Sequence, residues 1–93
     1  MPNVVVYSTA ICPYCVRAKA LLKRKGVVFQ EIMIDSDRAL MREMMERSQR
    51  RTVPQIFIGD HHVGGYDDMA ELDSLGELDL LLGLDGDDEE EST

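Results

Sequence analysis

Two cysteines stand three positions apart in this chain, as Cys12-Pro13-Tyr14-Cys15, and they are its only cysteines. A bond between them would close a very short loop, and short loops remove little entropy from the unfolded state. The pair is therefore a poor structural staple, and its spacing points to redox chemistry instead. Before it lies Val4-Val5-Val6-Tyr7, a continuously apolar, β-branched run that reads as a buried strand. After it, Cys15, Ala18, Leu21 and Leu22 recur at helical spacing. Cys12 then falls at a helix N-cap, where its sulfur can accept from free first-turn N–H groups, the Cys15 amide among them. The positive end of the helix dipole adds to this, and both effects favour thiolate over thiol. Cys12 is thus the expected attacking nucleophile. Cys15, almost a turn further on and deeper, keeps its proton longer and is the expected resolving thiol. Pro13 restricts the backbone between the sulfurs and suits the first helical position, where its missing N–H costs nothing.

Two further groups could surround that sulfur. Thr52-Val53-Pro54 precedes a strand-like run, and Pro54 is a candidate cis peptide, since proline belongs at a strand's first position. A cis bond would offer the Val53 N–H and C=O to an extended peptide; a plain trans strand entry is the alternative. In Gly64-Gly65-Tyr66-Asp67-Asp68 the glycines permit close backbone approach, and the helix start that follows can hold a carboxylate. Asp67 can cap that helix or accept from an ammonium group. Alone this is a turn and a cap; beside a redox cysteine it suits a small zwitterionic peptide. Zinc is disfavoured, because four ligands are usual and neighbouring His61 and His62 on a strand point to opposite faces. Each histidine reads as an ordinary hairpin residue.

The elements that must position these groups follow from pattern. The helix from Pro13 ends near Lys23-Arg24-Lys25, with basic residues favourable to the dipole and Gly26 as a stop. Val27–Ile34 predicts a second strand, parallel to the first through a crossover. A second helix is expected from Asp35 or Ser36, with Leu40, Met41, Met44 and Met45 as its core stripe. Gln55–Ile58, Gly59-Asp60 and His61–Gly64 predict a hairpin with a tight turn. A third helix carries Met69 and Leu72, and Leu75, Leu78, Leu81 and Leu82 continue an apolar stripe into a fourth after Gly76. The order is β-α-β-α-β-β-α with a small final helix. It predicts an α/β fold with a four-stranded mixed sheet and helices on both faces.

The chain has 93 residues, 44% of them hydrophobic, which suits one domain with a real core. Residues 1–84 are expected to form that domain, and residues 85–93 an acidic, disordered tail. Six of the 18 acidic residues lie in the tail, so the net charge of −8 falls to −2 without it, 12 acids against 10 bases. A near-neutral body argues against nucleic-acid binding. Met1-Pro2-Asn3 brings no basic flank, and Val4–Tyr7 is too short for a signal core or a membrane span. The expectation is a soluble cytoplasmic protein in a reducing compartment.

Cys12-Pro13-Tyr14-Cys15, Thr52-Val53-Pro54 and Gly64-Gly65-Tyr66-Asp67-Asp68 occur in the order and spacing of the glutaredoxin family. From about Val4 to Leu82 the chain resembles its small bacterial dithiol type. The resemblance implies a thioredoxin-like fold and an enzyme, a glutathione-disulfide oxidoreductase reducing protein disulfides and protein–glutathione mixed disulfides. Glutathione would be the reducing co-substrate, with no metal. Cys12 would form a mixed disulfide with it, flanked by Tyr14. The Thr52, Val53 and Pro54 backbone would pair with its cysteine main chain, and Gly65, Tyr66 and Asp67 would hold the γ-glutamyl end. The resemblance also suggests a basic or amide residue of the second helix for the glycine carboxylate, with Arg42 as the candidate. Two features depart from the pattern. Ser8-Thr9-Ala10-Ile11 stands where the family commonly carries a lysine, and the acidic tail has no counterpart. Two other functions compete. One is a redoxin for ribonucleotide reductase recharged by thioredoxin reductase, a group less similar around Gly64–Asp68. The other is an iron–sulfur carrier sharing a cluster between two chains through Cys12 and glutathione, which Pro13 disfavours by stiffening the site. A monomer is expected, with disulfide-containing or glutathionylated proteins as partners and neither nucleic acid nor membrane.

The tail reading makes a simple prediction. Truncation after Leu84 should leave the melting temperature and the activity on small substrates nearly unchanged. Any effect on charged protein substrates should fade with salt, since screening acts within about 10 Å at 0.1 M. A large loss of melting temperature would show that the tail packs on the body.

Overall fold

A computed structural model describes residues 2–84; the tail expected at residues 85–93 lies outside them. The chain runs β1 (Val4–Ser8), α1 (Pro13–Arg24), β2 (Gln30–Met33), α2 (Arg38–Ser48), β3 (Gln55–Ile58), β4 (His61–Gly64), α3 (Tyr66–Ser74) and α4 (Glu77–Leu82). The strands form one sheet in the order β2-β1-β3-β4, with β1 and β2 parallel and the other two pairs antiparallel. This is the mixed four-stranded sheet that the element order implies.

The alternation of β1 decides which helix goes where. Val4 and Val6 pair with Ile58 and Ile56 and face Ala18, Leu21 and Leu22 of α1, Met69 of α3, and Leu78 and Leu82 of α4. Val5 and Tyr7 face the other way and join Phe57, Ile34 and Met44 of α2. Three helices thus cover one face and one covers the other. Tyr7, although buried, keeps its hydroxyl partnered: it donates to Glu43 at 2.6 Å and accepts from Arg47 at 2.7 Å.

Several element limits differ from the sequence reading. β2 occupies only Gln30–Met33, because its ladder needs partners and β1 offers Val5 to Ser8. Val27 instead closes α1, its N–H donating to the Leu22 carbonyl past a left-handed Gly26, while Val28 is exposed. α2 begins at Arg38, not at Asp35 or Ser36: the Asp37 carboxylate accepts from the Ala39 and Leu40 N–H groups at 3.0 and 3.1 Å. Asp35 is used elsewhere, accepting from the Ala10 N–H at 2.9 Å and so tethering the loop before Cys12. In α2 Met44 is fully buried, whereas Met41 turns outward. Leu75 likewise lies at the exposed end of α3, outside the stripe formed by Leu78 and Leu82. Among the described residues no helix is long and apolar enough to cross a membrane.

α3 and α4 are held to the end of α1 by a charged node. Lys25 Nζ lies 2.8 Å from Asp73 Oδ1 and 2.7 Å from Asp79 Oδ1. The hydrogen bond to Asp73, then that to Asp79, raises the Lys25 pKa above its ordinary 10.5. A raised folded-state pKa stabilises the fold fully below the unfolded value and no longer once pH has passed the folded one. Lys25→Met should therefore lower stability by about 1 kcal/mol at neutral pH, and the gap to wild type should close as pH rises above 10.5. Denaturant midpoints that differ equally at neutral and strongly alkaline pH would exclude this account.

Candidate active site

Cys12 is the N-cap of α1, with extended backbone (φ −156°, ψ 100°) and Pro13 following at the first helical position. Its Sγ accepts the Cys15 N–H at 3.1 Å. The sulfur therefore sits where first-turn donors and the helix dipole favour negative charge. It is half-buried, with the Val53 carbonyl oxygen 3.8 Å away. Cys15 points into the core and is 1% exposed. Burial, followed by the hydrogen bond with Cys12, pushes its thiol up to about 12, and the Thr9 backbone N–H only partly offsets this. One reduced cysteine is accessible, and its neighbour is kept protonated by depth.

Opposite Cys12 the Val53–Pro54 peptide is cis. An open cavity of about 210 Å³ lies here, lined by Tyr14, Thr52, Val53, Pro54, Gly65, Tyr66 and Asp67, together with Arg50 and Asp68. Every binding residue singled out from the sequence reaches it except one. Arg42 sits on the exposed side of α2 and does not line the cavity. α2 ends at Ser48, and a left-handed Gln49 (φ 60°) turns the chain so that Arg50 supplies the cation instead. The basic pair Arg50-Arg51 directly before Thr52 was the available signal.

The helix start differs from expectation by two residues. Gly65, not Asp67, is the N-cap of α3, and Asp68 reaches back to accept the Gly65 N–H at 2.9 Å. Asp68 also pairs with Arg50 Nη1 at 2.9 Å. The Gly65 hydrogen bond, then Arg50, holds its carboxyl below the usual range. Asp67 is left in the first turn, facing the cavity with no structural cap to serve. Gly64 has φ +113°, a region that L side chains rarely adopt, and its missing Cβ leaves room for the Asp68 carboxylate.

Two tyrosines form one wall. The Tyr14 and Tyr66 rings stack at 6.3 Å and 29°, with the Arg17 guanidinium 5.3 Å over Tyr14. His61 is exposed, while His62 turns inward to stack on Phe57 and to meet Gln55. Among the described residues no three His, Cys, Asp or Glu side chains group as metal ligands.

This arrangement can do thiol–disulfide exchange beside an open cavity, and the chain as a whole is similar to known proteins. A family model described as Glutaredoxin matches residues 4–63. Over 82 residues the chain is 57% identical to glutaredoxin 3 of Escherichia coli and 56% identical to a glutaredoxin of Pseudomonas aeruginosa. Each alignment covers 88% of this chain and 99% or 98% of the relative. Among solved structures, the glutaredoxin of Brucella melitensis superposes with a TM-score of 0.80 at 54% identity, covering 90% of this chain and 91% of that one. A buckwheat glutaredoxin–glutathione complex superposes with a TM-score of 0.81 at 34% identity, covering 88% and 77%.

The depth of Cys15 predicts its reactivity. In Cys12→Ser, iodoacetamide should label Cys15 slowly at neutral pH, and burial, the largest cause of its raised pKa, should keep the midpoint above that of a free cysteine even though the contribution of Cys12 is gone. A midpoint near about 8.5, the free-cysteine value, would mean that the thiol is not buried.

Proposed function

The chain belongs to the glutaredoxin family and is a thiol–disulfide oxidoreductase, and on that premise we propose that glutathione is its reducing co-substrate. The substrates in this reading are protein–glutathione mixed disulfides and protein disulfides of the cytosol. The observation that carries it is the placing of Cys12 Sγ at the edge of a cavity with peptide-like partners: the Val53 main chain, the Asp67 carboxylate and the Arg50 guanidinium. A glutathione moiety brings matching groups, namely a sulfur at its centre, a peptide main chain, one ammonium and two carboxylates. Val53 pairs with the central residue and Asp67 takes the ammonium. Arg50, in place of Arg42, faces a carboxylate, and Thr52, Pro54, Gly65, Tyr66 and Tyr14 shape the walls.

The chemistry balances through the two cysteines. The Cys12 thiolate attacks the glutathione sulfur of a mixed disulfide, and the protein sulfur leaves with the bonding pair and takes up a proton. A second glutathione thiolate then attacks the glutathione bound to Cys12, releasing glutathione disulfide and the Cys12 thiolate. With an intramolecular protein disulfide, Cys12 bonds one sulfur. Cys15 gives up its proton and attacks Cys12, which frees the second protein thiol. Two glutathione molecules then reduce the Cys12–Cys15 bond.

Cys12→Ser should abolish both activities. Cys15→Ser should still remove glutathione from a glutathionylated peptide but lose most reduction of intramolecular disulfides. Equal loss of the two activities in Cys15→Ser would sink the division of labour. Recharging by thioredoxin reductase but not by glutathione would sink the co-substrate and favour the ribonucleotide reductase redoxin.

A further inference from the structure

Gln55 is a buried polar residue, 1% exposed, at the first position of β3 and next to the cavity loop. Its register partner on β1 is Tyr7, so it ends the row of side chains that faces α2. Nε2 of Gln55 donates to the Thr52 carbonyl at 3.1 Å and lies 3.3 Å from Thr52 Oγ1. Oε1 of Gln55 is 2.7 Å from His62 Nε2. A carbonyl only accepts, so the Gln55 nitrogen must face Thr52 and its oxygen must face His62. His62 Nε2 therefore carries the hydrogen. The ring that carries it is fixed in turn by stacking on Phe57, with centroids 4.8 Å apart. A continuous chain of fixed groups thus runs from β4 through β3 to the carbonyl one residue before Val53.

We propose that Gln55, oriented by His62, is a positioning residue for substrate binding: it holds the Thr52 carbonyl inward and so sets the Val53 main chain opposite Cys12 Sγ. This rests on the reading that Val53 receives the main chain of glutathione. Neither Gln55 nor His62 lines the cavity, so each acts only through the loop. When the loop shifts, Cys12 Sγ keeps the Cys15 N–H at 3.1 Å and loses only its long 3.8 Å contact with the Val53 carbonyl, a contact that the reacting thiolate, having no S–H, does not make. The effect belongs in binding and not in the reactivity of the sulfur.

The test pairs kinetics with a measurement that needs no glutathione. Gln55→Met keeps side-chain length and removes both polar atoms. It should raise the KM for a glutathionylated peptide about three- to tenfold, the loss of an ordinary hydrogen bond. The kcat and the rate of Cys12 alkylation by iodoacetamide should stay unchanged. His62→Phe keeps the stack on Phe57 without the donor and should raise KM in the same direction. His62→Gln restores an N–H and should bring KM back toward wild type. The double variant Gln55→Met/His62→Phe should match Gln55→Met alone, because the histidine acts through the glutamine. The NMR order parameter of the Val53 N–H should fall in both single variants while those of the β3 amides hold. If Gln55→Met does not fold, His62→Phe makes the same test. An unchanged Val53 order parameter in the folded variants would overturn the positioning role. So would a drop in kcat and alkylation rate at constant KM. A lower Val53 order parameter with unchanged KM would support the positioning and overturn the glutathione assignment of Val53.

Discussion

Strand β1 has no side toward solvent: Val4 to Tyr7 are each at most 7% exposed, and Ser8 is fully buried. Covering such a strand needs layers on both faces and a pairing partner on each edge, and the domain supplies them: α1, α3 and α4 on one face, α2 on the other, β2 and β3 alongside. Each buried valine contributes on the order of 1.5–3 kcal/mol by leaving water. Packing on β1 therefore fixes where the strand ends, and Cys12 comes four residues after Ser8, at the first turn of the helix that covers it. The reactive sulfur is positioned from the core outward.

That placement makes two chemically identical side chains unlike. Cys12 caps the helix at the protein surface and receives an N–H, while Cys15 lies in the core with its thiol pushed up to about 12. A dithiol with one accessible sulfur and one protected sulfur favours a fixed order of attack. Asp35 assists from a distance by tethering Ala10, which steadies the loop where the family commonly has a lysine.

Charge is divided along the chain. From Asp60 onward there are 13 acidic residues and no lysine or arginine, whereas the preceding residues hold all 10 basic ones. Three ion pairs join these halves among the described residues, Lys25 with Asp73 and with Asp79 behind the helices, and Arg50 with Asp68 beside the cavity. The last sits at the site itself. It sets the Asp68 carboxylate where it caps Gly65, and that leaves Asp67 turned to the cavity. Gln55 does the same for the opposite wall with neutral hydrogen bonds.

Local pattern sufficed wherever the information was local. The apolar run of β1, the helical spacing after Pro13, the Gly59-Asp60 turn and the two cysteines all carry their meaning within a few residues. The N-cap position of Cys12 and the greater depth of Cys15 follow from that alone, and so does the order of elements. Choices among equivalent neighbours were decided only by tertiary contacts. A start of α2 at Asp35 or Ser36 suits the pattern, yet folding uses Asp35 to hold the Ala10 N–H and Asp37 to cap the helix. Asp67 reads as the cap of α3, yet Gly65 takes that place and Asp68, paired with Arg50, reaches back to its N–H. Arg42 and Arg50 are equal cations in the sequence, yet a left-handed Gln49 carries one to the cavity and leaves the other outside. Gln55 reads as an unremarkable strand residue until folding buries it between Thr52 and His62. A side chain's type is written in the chain, but its partner is set by which distant segments the sheet brings together.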